Sequence, residues 1–164
     1  MKIFRVLASL LIGLLALVFI LGLSYEPYRC NLVTKVCESM LAAAMSGNPA
    51  AQLFLRERMP LIDQCIAHTP GKVELRLIRG AAQSLSGDYE GALTTYQETL
   101  LFDRRPEIYF DIGGALLKLR RTDEAIDAYA TAIRFNPDLL PQISDPLLRS
   151  RVETRSATAT IPVL

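Results

Sequence analysis

The segment Arg120-Arg121-Thr122-Asp123-Glu124-Ala125-Ile126-Asp127-Ala128-Tyr129 echoes an earlier one, Gly87-Asp88-Tyr89-Glu90-Gly91-Ala92-Leu93-Thr94-Thr95-Tyr96. Ala92 and Ala125 stand 33 residues apart, as do Tyr96 and Tyr129. A small residue followed four positions later by an aromatic one suits a helix that approaches a neighbour closely and fills the space beside the contact. A period of this length, with apolar residues at intervals of three and four inside each unit, is that of stacked helix–turn–helix pairs. Acidic pairs such as Asp123 and Glu124 read as first-turn charges, favourable at a helix N-terminus.

Around the later copy, Tyr109, Ile112, Gly113, Leu116, Ala125, Tyr129 and Pro137 agree in type and spacing over Pro106–Leu139. Gly113 and Ala125 are small where two helices must meet, with Ala132 a further close-approach position. Together these positions resemble the tetratricopeptide repeat family, whose pattern runs W-x2-L-G-x2-Y, then A-x3-F, then P. Tyr109 stands in the Trp place and Leu116 in the Tyr place. The earlier copy, Lys72–Arg105, matches through Ala92, Tyr96 and Leu100. Leu75, Ile78, Ala82 and Leu85 form an apolar face there. Gly80 takes the family glycine's place only if that face shifts by one, which a one-residue insertion in Ser84–Asp88 would reconcile. Upstream, Ile62, Cys65, Ile66 and Pro70 fall where a preceding repeat would put them. Pro49 would lie in its first helix, so that segment reads as degenerate or unrelated.

The expected fold class is all-α. Helices are predicted over Leu32–Met45, Ala50–Ala67, Val73–Leu85, Tyr89–Phe102, Pro106–Leu119 and Asp123–Phe135. Pro60 predicts a break or kink near Met59. Asn136-Pro137 and Ser144-Asp145-Pro146 each place a capping residue before a proline, which starts a helix. The organisation expected is an anchor over 1–24, a linker and N-terminal capping helices over 25–71, two repeats over 72–139, a capping helix over 140–155 and a flexible tail over 156–164. Two clear repeats are fewer than an array usually needs, so flanking helices are expected to cover its ends.

The anchor is read from Val6–Leu23, an apolar run of 18 residues without a charge. Such a run nearly spans a hydrocarbon core. Lys2 and Arg5 precede it and Tyr25 and Tyr28 follow it. These flanks predict a single-pass transmembrane helix with a cytoplasmic N-terminus and an extracytoplasmic, periplasmic domain. Cleavage near Ser24, giving a secreted domain, is the alternative.

Composition narrows the function. Of 164 residues 51% are hydrophobic and 21% charged, with a net charge of +1, which argues against disorder and against a nucleic-acid binder relying on bulk charge. One His, His68, and three Cys leave little for a metal site or cofactor, and none is expected. No G-x-S-x-G elbow or phosphate loop appears, so the chain reads as non-catalytic, with no small-molecule substrate. Basic residues at Arg104-Arg105, Lys118 and Arg120-Arg121 are interspersed with Glu107, Asp123 and Glu124, the pattern of a solvated charged face.

The family resemblance implies a groove along the first helices of the repeats that holds a protein segment. In the later repeat Glu107, Phe110, Gly114, Leu117 and Lys118 are expected to face it. In the earlier repeat the lining is Leu77, Ala81 and Leu85, or Arg76, Gly80 and Gln83, depending on register. No Asn lies between Asn48 and Asn136, which argues against the family's clamp for a C-terminal carboxylate. An apolar or amphipathic partner segment fits better. Phe110 and Leu117 could instead pack under the C-terminal segment and leave no groove. In an oxidising setting, Cys37 with Cys65, or Cys30 with Cys37, could form one disulfide and leave one thiol. The function expected is a membrane-anchored scaffold for protein–protein interaction, an accessory factor of a bacterial envelope complex. The alternative is a structural subunit buried in a larger membrane complex.

Overall fold

The computed structural model describes residues 2–158, with the side chains of 12–14, 17, 18 and 25–158. The chain forms α1 (Lys2–Met45), α2 (Pro49–His68), α3 (Val73–Leu85), α4 (Tyr89–Thr99), α5 (Pro106–Lys118) and α6 (Thr122–Phe135). A 3-10 helix over Pro137–Gln142 then leads to α7 (Pro146–Thr158). No strand occurs among the described residues.

Successive helices pair as hairpins, α1 with α2, α3 with α4 and α5 with α6, and α7 packs on α6. The three hairpin turns share one design. Two residues after each first helix ends stands a residue with positive φ: Gly47 at 89°, Gly87 at 86° and Arg120 at 62°. The next amide then reaches back five residues: Asn48 N–H donates to the Ala43 carbonyl, Asp88 to Gln83 and Arg121 to Leu116, at 2.9–3.1 Å. This turn satisfies the last carbonyls of the helix and reverses the chain within three residues. The same turn residue often caps the following helix. Asn48 Oδ1 accepts from the Ala50 and Ala51 amides, and Asp88 accepts from the Gly91 amide.

The turns also settle the register. Leu85 and Lys118, the last residues of α3 and α5, are 33 residues apart, as are Tyr89 and Thr122, the first residues of α4 and α6. No insertion separates the two copies, contrary to the expectation at Ser84–Asp88. Gly80 is the counterpart of Gly113 directly. The misreading has a physical source. Leu75, Ile78 and Ala82 do form an apolar face of α3, but it belongs to a core shared with α1 and α2. Val73 and Leu77 join the second core, built from α4 to α7. Thus α3 is buried on two sides, and its most apolar face serves the preceding hairpin.

The cysteines pair otherwise than expected. Cys30 and Cys65 form the disulfide, with Cα atoms 5.3 Å apart, and Cys37 stays a buried thiol. Neither the Cys37–Cys65 nor the Cys30–Cys37 pairing occurs. In an antiparallel hairpin, residues equally far from the turn face each other. Cys30 lies 16 residues before Ser46 and Cys65 lies 17 after Asn48, whereas Cys37 sits opposite Phe54 and Arg58. A bridge across a separation of 35 residues restricts the unfolded chain by about 4 kcal/mol in the chain-entropy picture.

Two expectations for the N-terminal half do not hold. α2 continues through Pro60 unbroken from Pro49 to His68. Among the described residues no helix is long and apolar enough to cross a membrane. That finding overturns the N-terminal transmembrane helix over 1–24, and with it the single-pass, periplasmic placement. The physical reason lies in what α1 is. It does not stop at Leu23 but runs 44 residues, past Glu26, Pro27 and Arg29, into the domain. There Cys30, Thr34, Cys37 and Ala44 bury one stripe of it. The side chains at 1–11, 15, 16 and 19–24, including Ser24, lie outside the described residues, as does the tail segment 159–164.

A candidate protein-binding cleft on α3 and α5

The first helices of the two repeats, α3 and α5, border a cleft of about 450 Å³. Ala81, Ser84 and Leu85 line it from α3, Phe110, Asp111, Gly114 and Lys118 from α5, and Met45 closes one end. The rings of Tyr96 and Tyr129 reach it from the second helices. They do so because glycine leaves them room. A Cβ on Gly80 would stand 2.5 Å from Tyr96 Cε1, and one on Gly113 would stand 2.8 Å from Tyr129 Cδ1. Both approaches are closer than carbon atoms allow. Each tyrosine therefore passes beneath its own first helix, with its hydroxyl end toward the cleft.

The two hydroxyls differ in surroundings. The Ser84 hydroxyl lies beside the Tyr96 phenol and favours its ionised form. In the later repeat the position of Ser84 is held by Leu117, which is apolar. No protein group hydrogen-bonds the Tyr129 hydroxyl among the described residues. Burial, and then the Asp111 carboxylate, push the Tyr129 phenol up to about 12 and raise Tyr96 as well. Asp111 is open to solvent at the cleft mouth, yet protein crowds its carboxyl. That desolvation, and then Glu107 one turn back, push it up to about 6. The Phe110 ring meets Tyr129 edge-on, with centroids 4.9 Å apart.

Of the residues expected to line the groove, Phe110, Gly114, Lys118, Ala81 and Leu85 come together in the cleft. Glu107 stands exposed on the same face, one turn before Asp111. Leu77 and Leu117 pack, half-buried, against the core behind it. Arg76 lies over the Phe102 ring at 4.4 Å, well away from the groove. The cleft is not covered by the C-terminal helix, which packs on α6 and the 3-10 helix. Seven lining residues lie outside that expectation: Met45, Ser84, Tyr89 and Ala115, and the three with most chemistry, Asp111, Tyr96 and Tyr129. Asp111 was legible, because Glu107, Asp111, Gly114 and Lys118 follow at four, three and four along α5 and share one face. Spacing alone marks the tyrosines as filling between helices, and only the glycines opposite them reveal that their hydroxyls pass through to the other side.

Two of the five basic positions nearby are neutralised. Arg105 pairs with Asp103 and reaches Glu74 at 3.7 Å, and Arg121 pairs with Glu124 at 2.6 Å. No group of three or more His, Cys, Asp or Glu is placed to hold a metal ion among the described residues.

A comparison with curated proteins finds no match to this chain. A family model does match: residues 106–139, α5 through the start of the 3-10 helix, are similar to the tetratricopeptide repeat.

Proposed function

We propose that the chain is a non-catalytic adaptor that seats a segment of a partner protein in the cleft between α3 and α5, and so helps assemble a larger complex. A tetratricopeptide repeat at 106–139 fits a scaffold for protein–protein interaction. The observation that carries the finer reading is the open cleft itself, with the half-buried Phe110 on its wall and no element of the described chain laid over it. Apolar walls with a few polar groups are what peptide grooves offer an amphipathic segment.

A photo-crosslinking residue at Lys118, on the cleft rim, should capture the partner, and one at Glu98, on the exposed face of α4, should not. Phe110→Ala should abolish the capture while circular dichroism keeps its helical signal. Equal capture from both positions would overturn the cleft as the docking site. A second reading, a structural subunit held permanently in a larger assembly, draws on α1. Ile12, Leu14, Leu17 and Val18 are 52–67% exposed there, an apolar surface that a permanent neighbour would cover. Fixed-ratio companions that survive purification would favour it.

A further inference from the structure

We propose that the cleft reads a cationic side chain, a Lys or Arg of the partner segment, and holds it between the Asp111 carboxylate and the Tyr129 hydroxyl. The inference rests on the reading of the cleft as a docking site and adds the chemistry of what docks. Three observations point to it. First, Glu107 and Asp111 project from successive turns of α5 toward the same side; Glu107 feels Arg105 at the helix start, and Asp111 makes no ion pair among the described residues. Second, Tyr129 is 6% exposed, yet its hydroxyl has no hydrogen-bond partner and ends in the cleft, 3.6 Å from where a Gly114 Cβ would stand. The ring is buried while the hydroxyl reaches the cleft, so its oxygen is open to a donor arriving there. Third, Gly114 leaves the floor open between the carboxylate and that hydroxyl.

The charges around Asp111 agree with a cation. On its own helix Glu107 adds negative charge one turn away. Of the basic residues at the two ends of α5, Arg105 is paired with Asp103 and feels Glu107, and Lys118 lies two turns on from Asp111, or about 10 Å along the axis. α3 presents Ser84, which is neutral, and α4 and α6 present the phenols of Tyr96 and Tyr129. The Asp111 carboxylate stands at the open mouth of the cleft, with protein on its inner side. An ammonium or guanidinium there would donate to the carboxylate and to the Tyr129 oxygen. Charge-assisted bonds of this kind are the strong ones. The stem of Lys or Arg would lie along Ala81 and Phe110, apolar surface that suits such stems.

The test uses the full chain with its disulfide intact. The probes are pools of acetylated, amidated decapeptides, random at the flanks and carrying Lys, Arg, norleucine or Glu at the centre. Affinity is read by titration, and the site by the amide shifts of Gly113 and Gly114. The Lys and Arg pools should bind about tenfold tighter than the norleucine and Glu pools, and should move the Gly114 amide. Asp111→Asn should erase the preference. Tyr129→Phe keeps the ring against Gly113, so it should leave the fold intact and weaken the preference about threefold. Norleucine peptides that bind as tightly and move the same amide would overturn the cation while leaving the cleft a docking site. A preference for Glu would assign recognition to Lys118 and overturn it too. A Gly114 amide that no pool moves would overturn both the cation and the cleft.

Discussion

Where the α5–α6 hairpin packs Ile112, Leu116 and the half-buried Ala128 between its helices, the α3–α4 hairpin carries Arg79, Gln83 and Thr95. The backbones are the same: the same helix starts, the same turn, the same glycine over the same tyrosine. The filling is opposite in kind. Thr95, 2% exposed, donates to Gln83 Oε1 at 2.7 Å and accepts from Arg79 at 3.4 Å. Gln83 goes on to donate to Asp88 at 3.3 Å, and Arg79 pairs with Asp63 of α2 at 2.8 Å. A second pair of equivalents shows the same exchange. Arg76 stacks on Phe102 in the first repeat, where Tyr109 stacks on Phe135 in the second, with centroids 6.2 Å apart. The comparison teaches that small residues and turn geometry set this hairpin. The space between its helices accepts either apolar side chains or polar ones whose hydrogen bonds close on each other. The polar version also links the hairpin to α2.

The sharpest way to break this equivalence is to overfill its narrowest point. Gly80→Leu and Gly113→Leu should each lose about 3 kcal/mol in urea unfolding, because both push into a tyrosine ring. An unchanged midpoint for Gly80→Leu would separate the two repeats. Next in size, Gln83→Leu should cost about 1–2 kcal/mol by leaving the buried Thr95 hydroxyl without an acceptor. The triple variant Arg79→Ile, Gln83→Leu, Thr95→Ala, which installs the second repeat's filling in the first, should recover most of that loss, as paired removal of polar partners usually does. Failure to recover would mean that the link to Asp63 holds α2 in place. A smaller effect lies in the turns. Arg120 holds a φ that glycine holds in the other two hairpins, so Arg120→Gly should raise stability by about 0.5–1 kcal/mol. Gly87→Arg should lower it by a similar amount.

The smallest effect distinguishes the cleft faces by pH. Asp111 holds its proton more tightly in the folded chain than in the unfolded one. The stabilisation by that proton is complete below the ordinary carboxylate range and is lost as pH rises through about 6. Asp111→Asn never ionises, so its melting temperature should match the parent near pH 3.5 and exceed it modestly at pH 7.5. A variant no more stable than the parent at pH 7.5 would show a fully solvated carboxylate. Ile78, the first-repeat counterpart of Asp111, gives no such dependence, since it is apolar and 2% exposed.

The helices from Val73 onward were legible because each carries its own signals. Turn residues, prolines at first positions and apolar spacing lie within a few residues of one another. The failures fall where a residue's meaning depends on a distant partner. Leu75, Ile78 and Ala82 looked like the inner face of their own hairpin and proved to face α1 and α2. Val6–Leu23 looked like a separate span because its composition changes at Ser24, while the helix containing it continues to Met45. Pro60 looked like a break, yet α2 runs through it.

Sequence by itself determined the helical class, the period of 33, the match at Pro106–Leu139 and five of the residues that line the cleft: Ala81, Leu85, Phe110, Gly114 and Lys118. These follow from local spacing, which the helix translates directly into faces. Tertiary structure alone decided which face of α3 meets which neighbour and that Cys30 rather than Cys37 meets Cys65. It alone showed that the tyrosine hydroxyls emerge in the cleft beside Asp111. Each of these depends on how far two helices sit from a shared turn and how closely glycine lets them approach, distances that no spacing along one helix encodes.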